Sequence, residues 1–319
     1  MPSHPSVTPA AAAASPLRSF ARFELRQLVG RSMTTMLWSV VDPQHGGAVL
    51  LALPRSRAPD ADKLDGWLQA ARKTARLEHP QLAKVIEVGH HEQWPYIVCE
   101  AVGVPLAERF AALGAGPQEA ARWIAEALDG LAFAHDAGLL HGDLQPHFLQ
   151  IGDDGRLRVV GLQVAPLLWG DGSANAQMDT AQLQAQRRGA ARDVVAAGCV
   201  LHQLLAGAPP LDEADIGRAI DRLPPQGREI LRLPFTLPRP VADGLRAIVN
   251  RATDTDERRR YQGARSLARA LLGWIEADSA QDGDPHARLL QRIAQHGVLP
   301  ALPFLVQNGR IVSGNDPWG

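Results

Sequence analysis

The stretch Leu139-Leu140-His141-Gly142-Asp143-Leu144-Gln145-Pro146 decides how this chain of 319 residues is read. It stands between two kinds of sequence. Just upstream, Pro117 to Ala137 opens with a proline at a helix start and carries Ala121, Ile124, Ala125, Leu128, Leu131 and Ala132 at helical spacing. Just downstream, Phe148–Ile151 and Leu157–Val160 read as paired strands joined by the turn Gly152-Asp153-Asp154-Gly155. Further toward the N-terminus, the short apolar runs Phe23–Val29, Met36–Val41, Ala48–Leu53, Ala83–Val88 and Tyr96–Cys99 predict a small antiparallel sheet. One helix, roughly Asp60 to Leu77, interrupts them with Leu64, Trp67, Leu68, Ala71 and Ala75 on one face. Toward the C-terminus, helices are expected near Asp193–Ala206, Pro240–Ala252 and Gly263–Glu276. Sheet first and helices second is an α+β order.

The bulk numbers narrow the class. Apolar residues make up 45% and charged residues 21%, an ordinary soluble balance. A net charge of −1 lacks the basic excess that phosphate contacts require, so no nucleic-acid partner is expected. Cys99 and Cys199 are the only cysteines, far apart, which excludes a disulfide framework and a cysteine zinc site. No run of about 18 apolar residues is present, so no membrane span is expected, and cytoplasmic is the default location. Residues 1–19, rich in Pro, Ala and Ser, are expected to be disordered. The only lysines are Lys63, Lys73 and Lys84.

In this setting the opening stretch resembles the catalytic loop H-R-D-L-x-P-x-N of protein kinases, and four other landmarks follow family order. Leu77-Glu78-His79-Pro80 resembles the L-x-H-P after the αC helix, and Val98 to Gly103 looks like the hinge between lobes. Asp193 to Leu201 is similar to the D-V-y-s-L-G-x-x-L of the αF helix, and Arg260-Tyr261 looks like the R-y near the domain end. The resemblance to bacterial eukaryotic-like serine/threonine kinases covers about Phe20 to Ala277. It implies a two-lobed kinase-like fold: a small antiparallel N-lobe with one helix (20–99), a hinge (100–103) and a larger, mainly helical C-lobe (104–277). A linker and tail, 278–319, would follow.

The positions that carry phosphoryl transfer are another matter. Kinase catalysis is mostly electrostatic positioning, by a lysine paired to a glutamate, an Asp and an Asn on Mg²⁺, and a catalytic-loop Asp. Aligned on the family, the lysine falls on Pro54, the glutamate on Ala70, the Asn on Phe148 and the D-F-G on Gly161-Leu162-Gln163. The glycine-rich loop falls on Gly30-Arg31-Ser32-Met33-Thr34-Thr35, with one glycine of three retained. Proline offers neither charge nor N–H. Without two oxygen ligands, Mg²⁺ would have only nucleotide and water to bind. His147 is a poor ligand for a hard cation. Gly142 replaces the family's Arg, and the activation segment, Gly161 to Arg192, shows no A-P-E; Ser173 and Thr180 are its candidate phosphorylation sites, and Arg260 loses the glutamate it pairs with in the family.

Asp143 survives as a vestigial catalytic residue whose expected role is structural, packing the loop and accepting hydrogen bonds. A vestigial nucleotide pocket is implied at Gly30, Leu37 and Ala52, with hinge backbone at Glu100 and Val102; core packing explains these residues equally well. The expectation is therefore a catalytically inactive kinase-like domain, a regulatory or scaffolding module of bacterial signalling, with a protein partner and without ATP, Mg²⁺ or another metal. Two alternatives stay open: an unconventional phosphotransferase holding nucleotide through Arg31 or Arg55, and a metal-independent purine sensor. In the tail, Ala280 to Pro285 reads as a polar linker and His286 to His296 as a short helix. Leu299-Pro300-Ala301-Leu302-Pro303 resembles the onset of HDOD-type output domains, which such a domain would adjoin in a longer chain.

Overall fold

The computed structural model describes residues 19–44, 46–165, 180–283, 304–307 and 310–313. Two compact units divide the chain, Met1–Leu272 and Gly273–Gly319.

The first unit opens with strands β1 (Ser19–Phe20), β2 (Phe23–Arg31), β3 (Thr35–Val41) and β4 (Ala48–Pro54), then β5 (Val85–His91) and β6 (Trp94–Glu100). They form one antiparallel sheet in the order β1-β2-β3-β4-β6-β5. Alternation along β4 sends Leu50 and Ala52 to one face and Val49, Leu51 and Leu53 to the other, and both faces are buried. Helix α1 (Ala61–Thr74) covers the first face. Asp60 caps it by accepting from Lys63 N at 2.8 Å, and Leu64, Trp67, Leu68 and Ala71 pack against Leu37, Ile97 and Cys99. The second face gathers Phe23, Val40, Val98 and Tyr96, whose hydroxyl donates to Glu87 at 2.8 Å. Arg22 clamps Glu87 and Asp42 from the same side.

After the hinge, β7 (Val104–Pro105) pairs with β8 (Leu149–Ile151), and β8 with β9 (Leu157–Val159). Helices α2 (Leu106–Leu113), α3 (Pro117–Asp136), α4 (Thr180–Ala206), α5 (Ile216–Arg222) and α6 (Asp243–Ala252) complete the lower lobe together with the start of α7 (Ala264–Gly283). The architecture is the two-lobed α+β arrangement expected.

Two expectations need correction. The helix expected to begin at Asp193 begins at Thr180, so the second half of the activation segment is helical and runs without a break into α4. Its composition explains this: Ala181 to Arg192 is dominated by Ala, Gln and Arg, strong helix formers. The linker expected from residue 278 begins later, because α7 runs through Gly283. In the second unit, β10 (Phe304–Gln307) and β11 (Arg310–Ser313) form an antiparallel hairpin that was not expected. Residues 1–18, Ser173, the 286–296 helix and the L-P-x-L-P at 299–303 lie outside the described residues.

Candidate functional site

The His-Gly-Asp loop is held from beneath by Asp193 on α4. Its carboxylate accepts the backbone N–H groups of His141 and Gly142, each at 2.9 Å, and lies 3.0 Å from His135 Nε2. Both N–H bonds end on a charged acceptor that is almost fully buried, the stronger kind of hydrogen bond. Gly142 stands at φ +81°, a conformation that glycine adopts without strain. His141 is fully buried. Its Nε2 donates to Val160 O at 3.0 Å, its ring meets Phe148 edge-on at 5.0 Å, and burial, opposed by Asp193 and Asp143, pushes its pKa down. A neutral ring with the proton on Nε2 leaves Nδ1 to accept from Asp143 N, 3.4 Å away.

Asp143 is buried, and hydrogen bonds from its own chain surround its carboxylate. Its Oδ2 accepts three hydroxyl protons from the β2–β3 turn, Ser32 at 2.5 Å and Thr34 and Thr35 at 2.7 Å each. Its Oδ1 accepts from Gln145 Nε2 at 2.7 Å. Burial alone would raise its pKa; the hydrogen bonds from Gln145, Ser32, Thr35 and Thr34 outweigh it and hold the pKa below the ordinary carboxylate value. The turn is built to present these groups. Ser32 Oγ accepts the N–H groups of Thr34 and Thr35, both at 2.9 Å, which folds the chain so that all three hydroxyls point one way.

A second carboxylate completes the contact. Asp215, the N-cap of α5, accepts Met33 N at 2.6 Å through Oδ2, while its Oδ1 accepts Arg218 N at 3.1 Å. Gln145 bridges the two sites, donating to Asp215 at 3.3 Å and accepting Ile216 N at 3.0 Å. The loop aligned with a phosphate-gripping sequence therefore grips two carboxylates of its own chain. Arg55 fixes it from behind, its guanidinium on Ser32 O at 2.9 Å and its N–H on Thr34 O at 2.7 Å.

Gly30, at the loop's start, lies against the His147 ring so closely that a Cβ there would overlap it. His147 is buried, its pKa is pushed down to about 4 by desolvation, and its Nε2 has no hydrogen-bond partner among the described residues. Leu37 and Ala52 are fully buried and pack with Phe148, Val160 and Val164 in the cluster that α1 also covers. Phe148 fills the space beside Gly161: a Cβ on Gly161, which sits at φ +78°, would come within 2.8 Å of the phenyl ring. At the hinge, Glu100 N–H donates to Lys84 O at 3.0 Å, and Val102 packs against the same cluster. Cys99 lies beneath, its thiol pushed up to about 12 by burial. Leu162 is buried as well.

Ala70 is half-buried on α1, and Pro54 ends β4 opposite Thr35. Arg260 is buried and bonds backbone carbonyls, Asp254 O and Pro224 O, each at 2.6 Å. Arg31 is exposed, and Thr180 is the first, exposed residue of α4. The structure thus brings Gly30, Leu37, Ala52 and Asp143 to one seam between the lobes. Sequence reasoning missed Ser32, Thr34, Thr35, Gln145 and Asp215 as its polar partners. The available signal was three hydroxyl residues within Ser32–Thr35, two of them, Ser32 and Thr35, where glycines were expected.

The protein kinase domain family matches residues 55–270, two thirds of the chain. The chain belongs to that family. Among curated kinases, it is similar to a probable serine/threonine-protein kinase of Corynebacterium efficiens, at 29% identity over 210 residues, 60% of this chain and 32% of that protein. The serine/threonine-protein kinase PknB of Mycolicibacterium smegmatis is 28% identical over 274 residues, 79% of this chain and 42% of the relative. The chain thus spans about a third to two fifths of the length of these kinases. The Mycobacterium tuberculosis PknI kinase domain shares the kinase fold, with a TM-score of 0.57 at 23% identity over 82% of this chain and 99% of that one.

Proposed function

We propose that this kinase-family domain does not transfer phosphoryl groups and acts in bacterial signalling as a regulatory or scaffolding module that contacts a protein partner. The observation that carries this reading is the occupation of Asp143 by Ser32, Thr34 and Thr35. A general base needs an open approach to the proton it takes, and a phosphate needs loop donors that are not already bonded. Phe148 and Gly161 support it from the other side. Neither offers a side-chain oxygen ligand for a hard cation, and the phenyl ring lies against Gly161. These side chains do not suit a magnesium nucleotide.

The alternatives have less support. Arg55 is committed to loop carbonyls, which removes one of the two cations that an unconventional phosphotransferase would use. A purine sensor would need open space beside Leu37 and Ala52, and these two are fully buried in one apolar cluster with Phe148 and Val160. The test is calorimetric titration of the purified chain with ATP, with and without Mg²⁺, beside a phosphorylation assay. No heat and no transfer are expected. Metal-dependent phosphorylation that Asp143→Ala abolishes would sink the reading. Heat without metal would revive the sensor.

A further inference from the structure

Within the lower lobe, a cavity of about 160 Å³ opens between the end of α2, the start of α3, the end of α4 and the chain leading into α6. Its walls are apolar: Phe110 on α2, Pro117 at the start of α3, Leu204 and Leu205 on α4, and Pro238 and Val241 ahead of α6. An apolar cavity of about 150 Å³ stays dry and takes a benzene ring, so this one has the size for a single ring.

Its mouth carries a cation. Arg239 is the one charged residue of the lining, is exposed, and among the described residues has no ion pair or hydrogen bond. Its guanidinium lies over the turn that joins α2 to α3, where a Cβ on Gly114 would meet Nη2 at 3.3 Å. Glu119, the acid in the first turn of α3, is held by Arg109 at 3.3 Å, and Arg109 also donates to Gly114 O at 3.3 Å. The acid beside the turn is thus engaged, while the donors of Arg239 stay free. A guanidinium presents its N–H groups as a planar fork that fits a carboxylate. One such cation answers one negative charge, which suits a carboxylate better than a phosphate, whose charge approaches two. Apolar walls with a single placed polar group are the usual make-up of a small-molecule site.

We propose that this cavity binds a small aromatic carboxylate, its ring among Phe110, Leu204, Leu205 and Pro238 and its carboxylate on the Arg239 guanidinium. A rigid ring fills the space with less loss of conformational freedom than a flexible chain of equal volume. The cavity shares no lining residue with the seam around Asp143, so this ligand is independent of nucleotide.

The test titrates two probes into the isotope-labelled full chain by NMR: phenylacetate, and phenethyl alcohol, which has the same ring and chain length without the charge. Phenylacetate is expected to shift the amide signals of Gly114, Ala115 and Gly207, and to bind at least about tenfold more tightly than the alcohol. Arg239→Gln, at an exposed position, should remove that advantage and leave the affinity for the alcohol unchanged. Val241→Phe, which puts a ring of its own into the cavity, should weaken both probes; if that chain does not fold, Arg239→Gln decides alone. No shift of these amides by phenylacetate overturns the proposal. Equal affinity for acid and alcohol in wild type, or a preference for the acid that survives Arg239→Gln, overturns it as well.

Discussion

Asp193 and His147 show how single side chains hold the seam together. Asp193→Ala removes the acceptor of two buried N–H groups and the partner of His135 at once, so the variant should lose about 3–5 kcal/mol of stability. Urea unfolding measures this, and a variant as stable as wild type would contradict the geometry of the loop. His147 gives a pH signature. Its folded pKa is lowered to about 4 by burial, while the unfolded value is 6.5. Between these values the unfolded chain takes up a proton that the folded chain refuses, so stability falls as pH falls through that window. Relative to wild type, His147→Leu should therefore gain up to roughly 3 kcal/mol between pH 6.5 and 4. Unfolding curves for both proteins at the two ends of the window decide it; a constant difference would mean that the ring is solvated. Asp143 has the opposite environment but the same sign. Its folded pKa is depressed, so its contribution is present above the ordinary carboxylate range and is lost as acid protonates the folded state.

The β2–β3 turn is the element that separates architecture from chemistry. Removing its hydroxyls with Ser32→Ala, Thr34→Ala and Thr35→Val leaves Asp143 buried with only Gln145, and each lost charge-assisted bond is worth about 1.5–3 kcal/mol without strict additivity. The expected result is a drop in stability together with hydrogen exchange at residues 30–36 faster by about tenfold or more. Unchanged exchange would mean that Arg55 and Asp215 alone hold the turn. The strands and the long helices were legible because alternation and 3.6-residue spacing are local properties; β2 to β6, α1 and α3 sit within a few residues of their expected ends. α2 and α5 were not, being eight and seven residues long without a sustained stripe. The first thirteen residues of α4 carry helix-forming composition, but in the family pattern they fall in the activation segment, which hides that signal. At the candidate site the replaced groups could be read directly from Pro54, Phe148 and Gly161. The hydroxyl contacts could not, since Ser32, Thr34 and Thr35 lie 108 to 111 residues from Asp143 and no local pattern encodes so distant a pairing.

At the scale of the kinase-family unit, the two lobes share one apolar interior. Leu37, Ala52, Ile97 and the α1 side chains belong to the upper lobe, Phe148, Val160 and Val164 to the lower, and all lie in a single buried cluster. A nucleotide slot would divide such a cluster; here Phe148, fully buried, joins its halves. The lobes should therefore unfold together, in one transition by both calorimetry and tryptophan fluorescence. Phe148→Ala should cost about 3–5 kcal/mol, because the ring's contacts are lost and the surrounding layers relax only in part. The space left behind would be lined by Ala52, Gly161 and the His141 ring and be largely apolar, so it should take up an aromatic ligand in preference to water. Indole or benzene at saturating concentration should then raise the melting temperature of Phe148→Ala and leave wild type unmoved. If wild type responds equally, a cavity already exists between the lobes and the purine-sensor reading regains its footing. If neither responds, the upper lobe has settled onto the lower, and the seam is held by the turn on Asp143 rather than by the ring.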